Sequence, residues 1–536
     1  NNALEGDTVM VSAGTYTENI IWPATNGIKL IGSGEDDCFI DGDSLASVIR
    51  FEEDLGGIID STTLITGFTI QNGYAQVNDP NNSNSGGGMY LNNSSPTLTG
   101  VTFSNNTAQE DGGGIDCNLS SNPILTNVTI SGNSASNGGG IFITDSELLI
   151  NNTVISSNYA NGRGGGIYAG NSNIAMNNSV IYENTSLIYS GDIYLNNWVT
   201  ASLSQVTMVT KGDNTGIVVG WDSDIIIKNS IILSDSSENI VVNTWSGESC
   251  TINISYSNVT FGESSVSDNE LTILTWGDGN IDVDPRFVDE ENDNYHLLAS
   301  SMLINAGHPD LTDSDGTRAD MGAYPYLNNY SGPDWFVSES GNDTTATGAS
   351  DNPFRSIQAA LNFGNNDDIA YVSAGTYNEN LIYRFDQSED IRSVSLIGEN
   401  KETTIIDGNQ AGIVVDLPNG GSSGLLIEGF TIRNGYANGE MGNYGSYNQG
   451  AGIHVGHNYD PVYLSDLIIE NCTAVSGGAG GFGGGIFSEN SSLELSNVQI
   501  NNNSAGNEGS GFYFRSGADS WDYTLDIDSS YISGNA

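Results

Sequence analysis

Only 13 of the 536 residues are Lys or Arg, against 66 Asp plus Glu, for a formal net charge of -53. A chain this poor in cations has no basic face with which to neutralise phosphates, so nucleic acid is excluded as a partner, as is an anionic membrane surface. Cations and saline surroundings are the expected counterpart of the charge, because salt screens self-repulsion. Cysteine is as scarce. Cys38, Cys117, Cys250 and Cys472 stand far apart with no CxxC spacing, which excludes a zinc site and a disulfide scaffold and leaves isolated core thiols. Proline numbers 11 and histidine 4. No stretch is long and apolar enough for a membrane-spanning helix, so no direct membrane insertion is expected, and no secretory leader is visible at Asn1. Nor does any long stretch space its apolar residues at the helical period, so the chain reads as nearly all-β.

What the chain has is glycine, 68 residues of it, placed periodically. The triplets Gly86-Gly87-Gly88, Gly112-Gly113-Gly114, Gly138-Gly139-Gly140 and Gly164-Gly165-Gly166 follow one another at equal steps, and Ser190-Gly191-Asp192 keeps the step in degraded form. An apolar segment follows each, as in Ile141-Phe142-Ile143, and a second one ends in Asn, at Asn106, Asn133, Asn158 and Asn184. Two or three short strands per step fit one turn of a solenoid. One coil cannot bury its apolar face alone, whereas stacked coils pair every strand with the coils above and below. Alternation is expected to send Ile, Val and Phe inward and Ser, Thr and Asn outward. The triplets mark positive φ or close backbone passage, and the repeated Asn are expected to adopt the left-handed conformation and form a ladder between coils. The predicted fold class is an all-β, right-handed parallel β-helix.

A longer duplication overlies the coils. Val11-Ser12-Ala13-Gly14-Thr15-Tyr16 returns as Val372-Ser373-Ala374-Gly375-Thr376-Tyr377, and Gly67-Phe68-Thr69-Ile70 as Gly429-Phe430-Thr431-Ile432. The chain therefore divides into a first β-helix module over 1–281, a closing segment and linker over 282–334, a capping segment over 335–363 and a second module over 364–536. Phe354, Ile357 and Leu361 give the capping segment the best short helix of the sequence, suited to shielding a first coil. The first module is expected to lack such a cap and the second an end, which makes the sequence a window on a longer polypeptide.

The Gly-Gly-Gly-Ile and Ile-Ser-Gly-Asn-Ser-Ala units resemble the repeats of chlamydial polymorphic outer-membrane proteins, which are surface adhesins. More broadly the chain is similar to the pectin-lyase-like right-handed β-helix superfamily. Trp335 to Leu381 resembles the opening of many secreted bacterial β-helix proteins of unassigned function. Asp282-Val283-Asp284-Pro285-Arg286-Phe287 and the residues from Asp315 to Tyr324 resemble their closing segment. The resemblance implies the fold. It leaves function open, because that superfamily holds lyases, hydrolases, tailspikes, adhesins and inert stalks.

Chemistry is thinly represented. A lyase of this fold needs a base and cations clustered on one face, yet Arg163, Lys211 and Lys228 are scattered. His454 and His457 are the nearest pair, but alternation sets them on opposite faces, and turn or surface positions are expected for them. The motifs that accompany polygalacturonase carboxylates are missing, although Asp and Glu abound. Asp313-Ser314-Asp315-Gly316, with Asp310 and Asp320, resembles half of a calcium loop, so Asp310, Asp313, Asp315 and Asp320 are the candidate Ca²⁺ ligands. Asp282, Asp284, Asp289 and Asp293 form a second acidic cluster, and Asn342, Asp343 and Asp351 a third. The expected function is a non-enzymatic, extracellular or bacterial cell-surface stalk, adhesin or filament subunit that associates with its own kind or with surface glycans. The rival expectation is a polysaccharide lyase, hydrolase or glycan-binding β-helix in which Trp198, Trp221, Trp245 and Trp276 line a groove.

Overall fold

The computed structural model describes residues 3–52, 57–76, 84–188, 191–212, 214–243, 249–267, 272–383, 393–418, 424–438, 449–456, 458–475, 481–516 and 523–536. It divides into two compact units. The first holds Asn1–Val283, Ala306–Leu311 and Arg318–Pro325, and the second holds Asp284–Asn305, Thr312–Thr317 and Tyr326–Ala536. The segment 282–334 is thus shared out between the two units.

Each unit is a parallel β-helix. One coil of the first unit runs through three strands, Ile115–Asn118, Ile124–Ser131 and Ser134–Ala135. Its first strand pairs in parallel with Met89–Asn92 before it and Ile141–Thr144 after it, and the register Met89↔Ile115↔Ile141↔Ile167↔Ile193 keeps the step of the glycine triplets. Ile115, Ile141 and Ile167 stack inward without solvent exposure, in one core with Leu125, Val128 and Ile130. Burial of each such side chain contributes about 1.5–3 kcal/mol. In the second unit, Val415↔Ile453↔Ile486↔Phe512 forms the corresponding row. The four cysteines are buried free thiols.

The glycines of a triplet do different work. Gly138 turns the chain at φ 58. At Gly139 a Cβ would lie 2.4 Å from the Tyr159 carbonyl oxygen and 2.6 Å from that of Gly165, because the backbone passes directly over its own coil and the next. The two roles expected of asparagine are split between neighbours. Asn105, Gly132, Ser157 and Glu183 take the positive φ. The next residues, Asn106, Asn133, Asn158 and Asn184, form the buried ladder, each donating from Nδ2 to Oδ1 of the following one at 3.0, 2.9 and 2.9 Å.

Not all hydroxyls point outward, as alternation alone implied. Ser121, Ser146 and Ser172 are buried at a corner, where each Oγ accepts the backbone N–H of the coil before it. A corner needs its amides satisfied, and a small hydroxyl does this in little space.

The second unit carries the predicted helix, Ile357–Phe363, with every residue buried. The Ser356 hydroxyl does not cap it. Glu379 does so from a neighbouring strand end, its carboxylate accepting the Ile357 and Gln358 amides at 2.8 and 2.9 Å. Burial pushes the Glu379 pKa up to about 7 against the lowering effect of those two amides, and in its ionised form it sits where a helix N-terminus attracts an anion. Trp335, stacked on Phe354 and Phe363, closes the same cap and donates from Nε1 to Asp368.

Candidate functional site

Outward-facing residues of the strand row that includes Ile115 form a column along the coils. In the first unit it reads Arg50, Tyr90, Asp116, Phe142, Tyr168, Tyr194. Alternation aims these side chains away from the core, yet Arg50 is only 2% exposed. Its Nε meets Glu52 at 2.5 Å, its Nη1 donates to Ser47 Oγ at 3.0 Å, and its guanidinium lies 4.1 Å over the Tyr90 ring. Asp116 is buried beyond it and accepts Asn118 Nδ2 at 2.7 Å. Burial, and then the nearby Asp111 carboxylate, push its pKa well above the ordinary carboxylate range. Phe142, Tyr168 and Tyr194 continue the column as a stack with ring centroids 4.8 and 5.4 Å apart.

The second unit has the equivalent column in Asp416, His454, Phe487 and Tyr513. His454 Nδ1 lies 2.6 Å from Asp416 Oδ1, and the ring stacks on Phe487 at 5.6 Å. The expectation of a turn or surface histidine is corrected here, because His454 is a buried strand residue held between a carboxylate and an aromatic ring. Sequence reading missed it because alternation says which way a side chain points and nothing about what covers it. His457 lies outside the described residues. Arg163 approaches the Tyr194 ring at 5.4 Å, and Lys211 pairs with Glu183 at 3.2 Å, so these cations sit at separate places on the coils. A general base or electrostatic catalyst must reach substrate, and Arg50 and His454 are instead enclosed by their own partners.

The asparagine ladder ends on a titratable group. Asn184 Nδ2 donates to Asp192 Oδ1 at 3.0 Å, and Thr210 Oγ1 donates to Oδ2 at 2.5 Å. Asp192 occupies the place of a glycine in the degraded fifth triplet. Burial pushes its pKa up to about 7, against the lowering effect of Thr210 and Asn184. A carboxyl whose folded pKa is raised favours the native state in its protonated form, so this stabilisation is lost as pH rises from about 4 towards 7. Asp192→Asn is expected to leave thermal stability at pH 4 almost unchanged and to raise it at pH 8, with a ceiling of about 4 kcal/mol. Thermal melts of both proteins across pH 4–8 measure this, and curves that stay parallel throughout refute it.

The four calcium candidates are divided between the two units. Asp310 is exposed, 3.9 Å from His308 Nδ1, and belongs to the first unit with the buried Asp320. Asp313 and Asp315 belong to the second. Asp315 accepts the Thr317 N–H and hydroxyl on Oδ1 and the Asn328 N–H on Oδ2, so both of its oxygens hold the loop. In the other clusters Asp284, Asp289 and Asn342 each accept a local hydrogen bond within three residues, and Asp343 accepts the amides of Arg355 and Ser356. Among the described residues, no three His, Cys, Asp or Glu gather as a metal site.

The tryptophans take different places. Trp276 packs against the core, Trp221 is half-buried, and Trp245 lies outside the described residues. Trp198 is 66% exposed. It borders a groove of ≈ 360 Å³ with Ser120, Asn122, Asp145, Glu147, Asn171 and Asn173.

Residues 339–415, which include the capping helix and the coil after it, match a family described as a protein of unknown function (DUF1565). No curated protein matches the chain. Among solved structures it is similar to the PL6 family alginate lyase AlyGC and to a point mutant of that enzyme. In each comparison the identity is 12%, the coverage is 99% of this chain and 82% of the other, and the TM-score is 0.22. The parallel β-helix therefore rests on the strand ladders themselves, and the match to the lyases adds nothing about chemistry.

Proposed function

We propose that this chain is a non-enzymatic extracellular structural and adhesive protein, a modular stalk, adhesin or filament subunit of a bacterial surface. The observation that supports this reading is the state of the outward columns. Arg50, Asp116 and His454 are the groups best suited to acid–base or electrostatic chemistry, and each is buried against residues of its own coils. Such an arrangement stiffens the coil stack and, among the described residues of those columns, leaves no exposed acid–base pair. The high negative charge fits a soluble, self-repelling surface in salt.

Two measurements test the reading together. Electron microscopy of the protein is expected to show elongated rods. Reducing-sugar and unsaturated-uronate assays over a polysaccharide panel, alginate included, are expected to stay at the buffer control. Turnover of any substrate above that control replaces this function with the carbohydrate-active one, and compact globules in the micrographs remove the stalk.

A further inference from the structure

We infer that the Trp198 groove is a binding subsite for an uncharged, hydroxyl-rich glycan; this rests on the adhesive reading and gives it a ligand. Asn93, Ser120, Asp145, Asn171, Trp198 and Asp222 occupy one corner of successive coils, all with φ between 45 and 66, and the preceding residues Leu119, Asn197 and Trp221 share the positive φ on their coils. Asparagine, aspartate and serine suit that left-handed conformation, whereas tryptophan has no local hydrogen bond to offset it and is a conformational outlier there. Holding a bulky residue so costs of order 1–3 kcal/mol. Packing does not offset that cost, because the side chain is 66% exposed. Leu119 carries the same strain at the same corner and is 51% exposed, so what singles out the Trp198 indole is its place at the groove.

The corner residues of the three preceding coils place Asn171, Asp145 and Ser120 along the groove, with Asn173, Glu147 and Asn122 beside them at alternate positions. These are exposed carboxamides and carboxylates, linked along the row by Asn171 Nδ2 to Asp145 Oδ1 at 2.5 Å and Asn173 Nδ2 to Glu147 Oε1 at 3.4 Å. Coils are about 4.8 Å apart, so the groove offers rows of polar groups at that spacing leading to an aromatic face. A pyranose presents the complementary surface, with a C–H face for the indole and edge hydroxyls that donate to carboxylates and both donate to and accept from carboxamides. Among the described residues no lysine or arginine lines the groove, and Asp145 and Glu147 place two negative charges in it. A polyuronate is therefore repelled, and a neutral glycan is not.

The test uses the whole chain. Trp198→Asn installs the residue that the preceding coil carries at this corner, so the variant is expected to fold, with a thermal midpoint equal to or above the parent. Calorimetric titration with laminarin, mannan and galactomannan, and with alginate as the anionic probe, is expected to give measurable binding of at least one neutral polysaccharide. Its association constant is expected to fall at least tenfold in Trp198→Asn and to be largely kept in Trp198→Phe, while alginate binds at least tenfold more weakly than the neutral probe. Binding of none of the neutral probes, equal binding of alginate, or unchanged affinity in Trp198→Asn overturns the site. Each of those results leaves the stalk standing if rods are seen and turnover is absent, so the two readings fail separately.

Discussion

Replacing Gly139 by valine is expected to unfold the coils around it, with a loss of more than about 4 kcal/mol. The new Cβ would stand 2.4 Å from the Tyr159 carbonyl oxygen and 2.6 Å from that of Gly165. Both obstacles are backbone, and one belongs to the next coil, so relief requires the strands themselves to part. The control is Gly132→Asn. Gly132 has positive φ, at 68, and the nearest atom its Cβ would meet is Asn105 Oδ1, at 3.1 Å; asparagine already occupies the matching place one coil earlier. That change is expected to stay within about 1 kcal/mol. Thermal melts with limited proteolysis of both variants decide the matter, and equal stability would remove the account of the triplet given above.

The second large effect is expected at Asn158. Its Oδ1 accepts both the backbone N–H and Nδ2 of Asn133, and its Nδ2 donates to the Ile130 carbonyl and to Asn184 Oδ1. Asn158→Leu removes the side-chain partner of the Asn133 N–H and of the Ile130 carbonyl, while Asn133 Nδ2 keeps the Phe103 carbonyl and Asn184 Oδ1 keeps the backbone N–H of residue 158. An unsatisfied buried group costs about 1–3 kcal/mol, so the expected loss is on the order of 3 kcal/mol. Asn161→Ala, which removes only an exposed acceptor for the Tyr159 hydroxyl, is expected to change little. Hydrogen exchange locates the damage: the amide of Asn133 should lose its protection first. Protection that is lost uniformly along the chain, or kept at Asn133, contradicts a ladder that acts locally.

The repeat made much of this legible. Glycine triplets at a constant interval set the coil length, and the register of Met89, Ile115, Ile141, Ile167 and Ile193 follows it. The capping helix was readable from three apolar residues, but its true cap, Glu379, was not, because a carboxylate that arrives from a neighbouring strand leaves no local signal. The same reason hid the Arg50–Tyr90–Asp116 column, whose members stand on three different coils and meet only once those coils stack. Trp198 is one of the four tryptophans that stand out in the sequence. What separates it from Trp221 and Trp276 is its exposure, which residue identity does not encode; Trp221 shares the positive φ of the corner.

The constant step of the glycine-triplet coils also governs how that stretch comes to be folded. A strand such as Ile141–Thr144 finds one partner a single coil back, in Ile115–Cys117, and its next partner a single coil ahead, in Ile167–Gly170. Adding coils lengthens the molecule without lengthening the loop that any one pairing must close, so the entropic cost per coil stays fixed. A chain delivered end first can therefore crystallise onto its own leading edge. Each completed turn offers a strand edge to the one after it, so folding can propagate from coil to coil.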